Sequence, residues 1–493
     1  MPFSDPHQLS LETVIAASPM LGHRLEDRTR IRDAQDTKLQ KLWRDASTIP
    51  LRNASQQMDF VVAPLDVLVS REGAGPVFHI IELNGTGIGG VSNMPSEAIA
   101  AVTESLREVA ANLAEPEKVL LLAVSGKECE KNPRLNKLMH EKLIFAQALA
   151  EGLRESLDDS QIVTLDGLGS GNQHYRPGAA TVVVGYIKEL LEACKVDSDH
   201  KIWLHGRQVV GAVNDRFCLN LLSKHLGKID LAEFTPINGT FLAGGDKGLA
   251  YSLLDEYLTC QPQTCFPERV RHTHVHSREE LINTVLQWQR LGRRTVIKPH
   301  GTGIGHGIEF FLNPHESTAD VVARIDHSIE LTEAYYGVTG GTFPYTLCEF
   351  VDSDVISSPG HRLDGHKYEL RIVVYREGLS LRACPSIAKV ASQRYAPQNL
   401  QRDGLINNIT HTSVTTTADG ADFMLPLCNR KTLQTLDLGI DQIAQLCCVA
   451  TQYVRFAIEC IGQMDQRLEA MRHGSNIEMP QSVLRRMTVA QTA

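Results

Sequence analysis

Between residues 118 and 226 short β-branched apolar runs alternate with stretches of helical period, and that alternation leaves few folds open. "KVLLLAVS" (118–125) is a strand with no polar face, and "LMHEKLIFAQALAEGLRESL" is an amphipathic helix. "QIVTLDGLGSG", "ATVVVGYIKELLEAC" and "HKIWLHGRQVVGAV" continue the pattern. Strands apolar on both sides need cover on both sides, so the expectation is an α/β unit: a parallel sheet with helices on its faces. "NDRFCLNLLSKHL" (214–226) closes it as a short helix capped by Asn or Asp.

Blocks of different texture flank this unit. In the first, "DFVVAPLDVLVS" (59–70) and "PVFHIIEL" (76–83) read as strands joined by the hairpin-like turn "REGAG". An Ala-rich helix follows, with Ser96 as its expected N-cap, and "EPEK" (115–118) marks a boundary. The third block contains the helix "REELINTVLQWQRLG", the strand "RTVIKP" (294–299) and the helix "STADVVARIDHSIELTEAYYG". The strands "YTLCEFV", "YELRIVVY" and "LSLRACPSI" come next, then a long helix. The expected division is 1–115, 116–235, 236–475 and a polar tail, 476–493.

Composition narrows the function classes. A net charge of −9 argues against a nucleic-acid partner, which needs a basic surface. No apolar run approaches the ~20 residues of a membrane span, and "MPFSDPHQLSLETV" lacks the basic-then-apolar pattern of a secretory signal. The 11 cysteines form no framework, which reads as reduced thiols in a cytoplasm.

The pentapeptide GTGIG closes an apolar stretch twice, in "IIELNGTGIGG" (80–90) and "IKPHGTGIGHG" (297–307). The first formally fits G-x-G-x-x-G through Gly85, Gly87 and Gly90, yet the acidic strand end needed some 20 residues on falls inside a helix near Glu104. No G-x-x-x-x-G-K-[ST] occurs, which excludes a P-loop. In the second, Lys298 ends a strand before Gly301, Gly303, Gly305 and Gly307. Glycine lets backbone N–H groups approach phosphate oxygens, and a strand-end lysine adds a point charge. A surface turn after an edge strand is the plain alternative. Downstream, "LCEFVDSD" offers backbone at Phe350 and Val351 to an adenine edge and Asp352 or Asp354 to a ribose. "KYELRIVVYREG" alternates Glu369 and Arg371 on a strand, and "NNIT" (407–410) adds amide oxygens. His272, His274 and His276 share one strand face; zinc binding is conceivable, and a solvated strand is the better reading.

This order of strand lysine, glycine loop, E-F-V, E-L-R strand and Asn resembles the ATP-grasp superfamily of carboxylate–amine ligase type. The second block resembles the Rossmann-like pre-ATP-grasp domain, and "AVNDRFCLNLL" resembles its entry helix. The resemblance implies an α/β ATP-grasp fold using ATP and Mg²⁺, which joins a small-molecule carboxylate to an amine through an acyl phosphate and releases ADP and phosphate. Amino acids or small peptides are the implied substrates, and a homodimer is the commonest assembly. It places Lys298, Gly301, Gly303, Gly305 and Gly307 on the phosphates, Glu349, Phe350 and Val351 at the adenine, and Asp354 at the ribose. Arg371 would stabilise the transferring group, with Lys389 as a second cation or else a surface lysine.

One family feature is displaced. The metal-binding strand pair ending E-x-N does not follow the last helix, where "NIEMPQ" lacks an apolar strand. Its counterpart stands near the front: Asp66 on one strand, a turn, then Glu82 and Asn84. The resemblance therefore implies a circularly permuted domain with Asp66, Glu82 and Asn84 as Mg²⁺ ligands. The plain alternative makes "HIIELN" a core strand with a capping Asn. A small-molecule kinase and a non-catalytic ATP-binding protein remain the rival functions.

Overall fold

A computed structural model describes residues 36–52, 60–73, 75–89, 91–124, 136–165, 168, 176, 178–225, 228–239, 247–261, 267–300, 305, 307–336, 343–397, 404–405 and 423–472. Gly301, Gly303, His306, residues 407–410 and the expected tail lie outside the described residues. The chain opens with α1 (Thr37–Ser47), β1 (Ile49–Pro50), the hairpin β2 (Val62–Glu72) and β3 (Gly75–Leu83), and α2 (Ser96–Asn112). Next come β4 (Val119–Val124), α3 (Asn136–Ser156), β5 (Ser160–Thr164), β6 (Ala180–Tyr186), α4 (Ile187–Ala193), β7 (Lys195–Val196), β8 (Ile202–Leu204), β9 (Arg207–Val213), α5 (Asp215–Lys224) and β10 (Thr235–Ile237). The rest is α6 (Lys247–Cys260), β11 (His272–Val275), α7 (Arg278–Arg290), β12 (Thr295–Pro299), β13 (Glu309–Phe311), α8 (Thr318–Tyr336), β14 (Tyr345–Glu349), β15 (His366–Glu377), β16 (Ser380–Arg394), β17 (Met424–Pro426), α9 (Arg430–Thr435) and α10 (Ile440–Arg472).

The fold is α/β, as expected. β5, β6, β4, β9 and β10 form the anticipated parallel sheet, extended by the antiparallel β8 and β7. Its two apolar faces are both covered: α2 and α3 bury Val102, Leu106 and Leu149 against Leu120 and Val182, and α4 and α5 bury Leu190 and Phe217 against Leu121 and Val183.

A second, antiparallel sheet has the order β1-β16-β15-β2-β3, with β17 also on β16. The N-terminal hairpin thus pairs with strands some three hundred residues away, and Asp66 stands opposite Arg371. Strand alternation divides the sheet's faces. Ala63, Leu65, Val67, Leu370 and Ile372 pack on α1, α6 and α10 through Trp43, Tyr257 and Tyr453. On the other face Val373, Tyr375 and Cys384 share a core with α2.

The third sheet, β11-β14-β12-β13, is antiparallel. α7 and α8 cover one face through Leu281, Val285 and Ile325; the other meets α6 and β3 through Val296, Cys348, Tyr251 and Ile81.

Ser96 is not the N-cap of α2. It is the first helical residue and Pro95 is the cap, without a side-chain bond, because the ring-fixed backbone of Pro95 (φ −55°, ψ 142°) already turns the chain into the helix.

The α2–α3 contact carries a prediction. A Cβ at Gly152 would stand 2.2 Å from the Arg107 carbonyl oxygen and 2.8 Å from its Cα. Gly→Ala in a helix ordinarily gains about 1 kcal/mol, but here backbone must move, at about 1–3 kcal/mol for overpacking. Gly152→Ala should therefore lower the denaturation midpoint; a raised midpoint would contradict this packing.

Candidate active site

A bulge orients the acidic end of the hairpin. Asp66 pairs with Glu82 but Val67 pairs with Ile80, so Ile81 is the extra residue. The bulge resets the alternation. Ile80 and Leu83 both stay in the core under α10, Ile81 turns to the third sheet, and Glu82 shares a face with Asp66.

Arg371 grips Asp66 with two bonds, Nε to Oδ1 and Nη2 to Oδ2, both 2.8 Å. Nη1 of Arg371 donates to the Ile88 carbonyl at 2.6 Å. Lys389 Nζ lies 3.1 Å from Asp66 Oδ2 and also pairs with Glu369, its neighbour across the strands. Asn84 Nδ2 reaches Asp66 Oδ2 at 3.4 Å. All four charged groups are buried or nearly so. Burial opposes ionisation of Asp66, but Arg371 and Lys389 outweigh it and hold the carboxyl well below its usual range. Burial raises the Glu369 carboxyl, and Lys389 only partly offsets it.

The start of α6 links this cluster to the lysine strand. Lys247 pairs with Glu82. One turn on, Tyr251 accepts from Lys298 Nζ at 2.7 Å and also lies under that ammonium, 5.0 Å from ring centroid to Nζ. His272 stacks on Tyr251 at 5.2 Å. Glycine at position 248 lets α6 come this close: a Cβ there would sit 1.9 Å from His274 Cε1 and 2.6 Å from Thr346 Oγ1. Glu82 and Lys298 are therefore linked through a single helical turn.

The two GTGIG loops behave differently. In the first, Thr86 N donates to Asp215 Oδ2 at 2.8 Å, and Ile88 N and Gly89 N donate to Glu141 at 3.1 and 2.9 Å. Those N–H groups are taken by carboxylates of the chain itself. Burial pushes the Asp215 carboxyl up to about 6, against the lowering effects of Thr86 and Lys142. In the second, Gly305 and Gly307 have φ of 73° and 68°, in the left-handed region that favours glycine. Gly307 also answers to packing, since a Cβ would meet Thr332 Oγ1 at 2.3 Å.

Several expected site residues have partners within the chain. Both oxygens of Asp66, expected at a cation, are bonded to Arg371, and one also to Lys389. Among the described residues no group of three Asp, Glu, His or Cys side chains is placed to hold a metal ion. Glu82 and Asn84 offer the oxygen donors Mg²⁺ prefers, with Glu82 now held by Lys247. The Phe350 N–H, expected at an adenine edge, is bonded to the Arg294 carbonyl at 2.8 Å. Glu349 sits in β14 opposite Thr295, and Val351 joins Phe350 in the apolar cluster beside Tyr251. Asp354 receives Arg71 at 2.5 Å, and Asp352, which is exposed, receives Lys367 and Arg294. Lys389 is buried, not a surface lysine. Lys247, Tyr251, Glu141 and Asp215 were not singled out from sequence. Adjacent charges inside an apolar helix face, Glu141 and Lys142, were the available signal.

No family model matches the chain, and no curated protein matches it. Among solved structures, a protein of Methylobacillus flagellatus KT with the provisional name gamma-glutamylcysteine synthetase is 13% identical, with a TM-score of 0.43, over 94% of this chain and 99% of that one. A glutathione synthetase-like effector (GSS30) of Globodera pallida, in its apo form, is 15% identical, with a TM-score of 0.35, over 77% and 84%. Both scores lie below 0.5, so neither likeness bears on function. Among the described residues no helix is long and apolar enough to cross a membrane.

Asp66→Asn would leave Arg371 and Lys389 with one buried countercharge fewer, at an expected cost of about 3–5 kcal/mol. Because the folded carboxyl titrates below its unfolded value, the wild type's advantage should be complete above about pH 4 and shrink as pH falls further. Denaturant titrations across that range check both, and a cost under about 1 kcal/mol at neutral pH would contradict the pairing.

Proposed function

We propose that the chain is an ATP-dependent carboxylate–amine ligase of ATP-grasp type, acting on amino acids or small peptides, with its metal-side hairpin at the front of the sequence as in a circular permutation. The observation that carries this reading is the meeting of Glu82, Lys247, Tyr251 and Lys298 around the first turn of α6, beside Asp66 and Arg371. Oxygen donors from the front of the chain thereby meet two lysines from its middle, which this reading assigns to the triphosphate.

A triphosphate at this place would exchange with the present partners of the lysines. Lys298 would turn from Tyr251 to phosphate oxygens, and Lys247 would leave Glu82 for the same anion. Glu82 and Asn84 would hold Mg²⁺, which when bound supplies charge neutralisation to the triphosphate. The substrate carboxylate attacks the γ-phosphorus in line; a P–O bond forms, the β–γ bridge breaks, and ADP leaves. The amine then attacks the acyl phosphate, the C–O bond to phosphate breaks, and the amine loses a proton.

Arg371 suits the charge that develops. Three of its five N–H groups are fixed, two on Asp66 and one on Ile88, so the guanidinium is held rigidly with two donors remaining. Lys389 adds a second buried cation on the same sheet face. Asp66 acts as the positioning group for both.

The test uses the full chain with ATP, Mg²⁺ and pools of amino acids, reading phosphate release and product mass. Ligation requires ADP and phosphate that depend on both a carboxylate and an amine. A phosphorylated product without amine dependence would support the kinase, and nucleotide binding without turnover the non-catalytic protein. Arg371→Lys keeps the charge and loses the two-pronged grip, so kcat should fall about 100-fold or more while the Kd for ATP stays within about threefold. Unchanged turnover would remove Arg371 from the mechanism.

A further inference from the structure

The loop after β3 is also tied to the parallel sheet's helices. β4 and β9 are neighbours, but after β4 the chain returns as α3 on the face shared with α2, and after β9 it continues as α5 on the opposite face. Such a divergence opens a crevice at the carboxyl ends of the strands, where ligands of open α/β sheets bind. The loop after β3 crosses that crevice, held by Asp215 of α5 at Thr86 and by Glu141 of α3 at Ile88 and Gly89.

The turn into α5 is unusual. Asn214 has φ 126° and ψ 111°, and is fixed by Nδ2 donating to the Ala123 carbonyl at 2.9 Å and by Oδ1 accepting from Phe217 N at 3.1 Å. It delivers the Asp215 carboxylate against Gly85, where a Cβ would be 2.1 Å from Oδ2.

Charge is left over at this point. Glu141 and Lys142 pair at 3.4 Å. Among the described residues Asp215 has no ion-pair partner; Thr86 N and Thr86 Oγ1 are its donors, and Lys142 acts on it from further off. Glu141, Lys142 and Asp215 together carry a formal charge of −1, and burial opposes the ionised Asp215. Arg371 holds the same loop at Ile88. Thr86 and Ile88 are two residues apart, so their Cα atoms lie within about 7 Å. Asp215 and Arg371 are thus an acid and a cation fastened to one short loop, the two charges that an amino-acid zwitterion calls for.

We propose that Asp215 binds the ammonium group of an amino-acid substrate whose carboxylate turns toward Arg371. The inference deepens the ligase reading and rests on it: the carboxylate substrate is an amino acid with a free amino group, and Asp215 is a specificity-determining residue that does not touch the nucleotide.

Calorimetric binding to the full chain, with Mg²⁺ and the β,γ-imido analogue of ATP present, tests this without turnover. The probes are the standard L-amino acids, each beside its des-amino and N-acetyl counterparts. At least one free amino acid should bind about 30- to 100-fold tighter than its des-amino counterpart, as a charged hydrogen bond requires. Asp215→Asn, which keeps an acceptor for Thr86 N–H, should weaken that amino acid to the des-amino level and leave the des-amino compound and the analogue unchanged. Asp215→Glu should restore part of the preference. Equal binding of the amino acid to wild type and Asp215→Asn, or no preference for any free amino group, would overturn the proposal. A preference lost in Asp215→Asn alongside no amine-dependent phosphate release would instead fault the ligase reading and leave the ammonium site standing.

Discussion

Arg371 closes on Asp66 across two neighbouring strands that come from opposite ends of the sequence, and the remaining geometry follows from that grip. The bond fixes the register of β2 against β15 at a place where a one-residue slip would turn every side chain to the wrong face. It sets the guanidinium so that a third N–H reaches Ile88, which pins the loop after β3. The same carboxylate receives Lys389. A buried pair of this kind adds little net stability over an apolar substitute, yet breaking it is costly. Its value here lies in position: two cations stay fixed and desolvated on one sheet face.

The repeated pentapeptide shows how context sets the use of a loop. Both copies follow a strand and both need glycine, for different reasons. In the first copy Gly85 makes room for the Asp215 carboxylate, and the N–H groups that might have cradled phosphate go to Asp215 and Glu141. In the second, Gly305 and Gly307 take left-handed backbone beside the buried Lys298. The first copy fastens the parallel sheet to the antiparallel sheet through its bonds to Asp215 and Glu141.

Strand and helix periodicity made the parallel sheet legible, because a strand such as Val119–Val124 with no polar side has few places to go. The hairpin and the kinship of Asp66, Glu82 and Asn84 were legible from two-residue alternation. The partners were not. Nothing in the spacing says that Asp66 is held by Arg371 when the two are so far apart in sequence, nor that Lys247 meets Glu82. Ion pairs are settled by tertiary packing, and a carboxylate that looks like a metal ligand in a motif can be a counter-ion in the fold. Ser96 failed as a cap for a local reason, since the proline before it had already set the turn.

The central claim is that both ends of the chain build one nucleotide site. Hydrogen exchange of the full chain, with and without the β,γ-imido analogue of ATP and Mg²⁺, tests it most directly. Slowed exchange in the described residues at the end of β3 and the loop after it, together with the start of α6 and the end of β12, is the result this account requires. Protection confined to β12 and its following loop, with the loop after β3 and α6 unchanged, would contradict it.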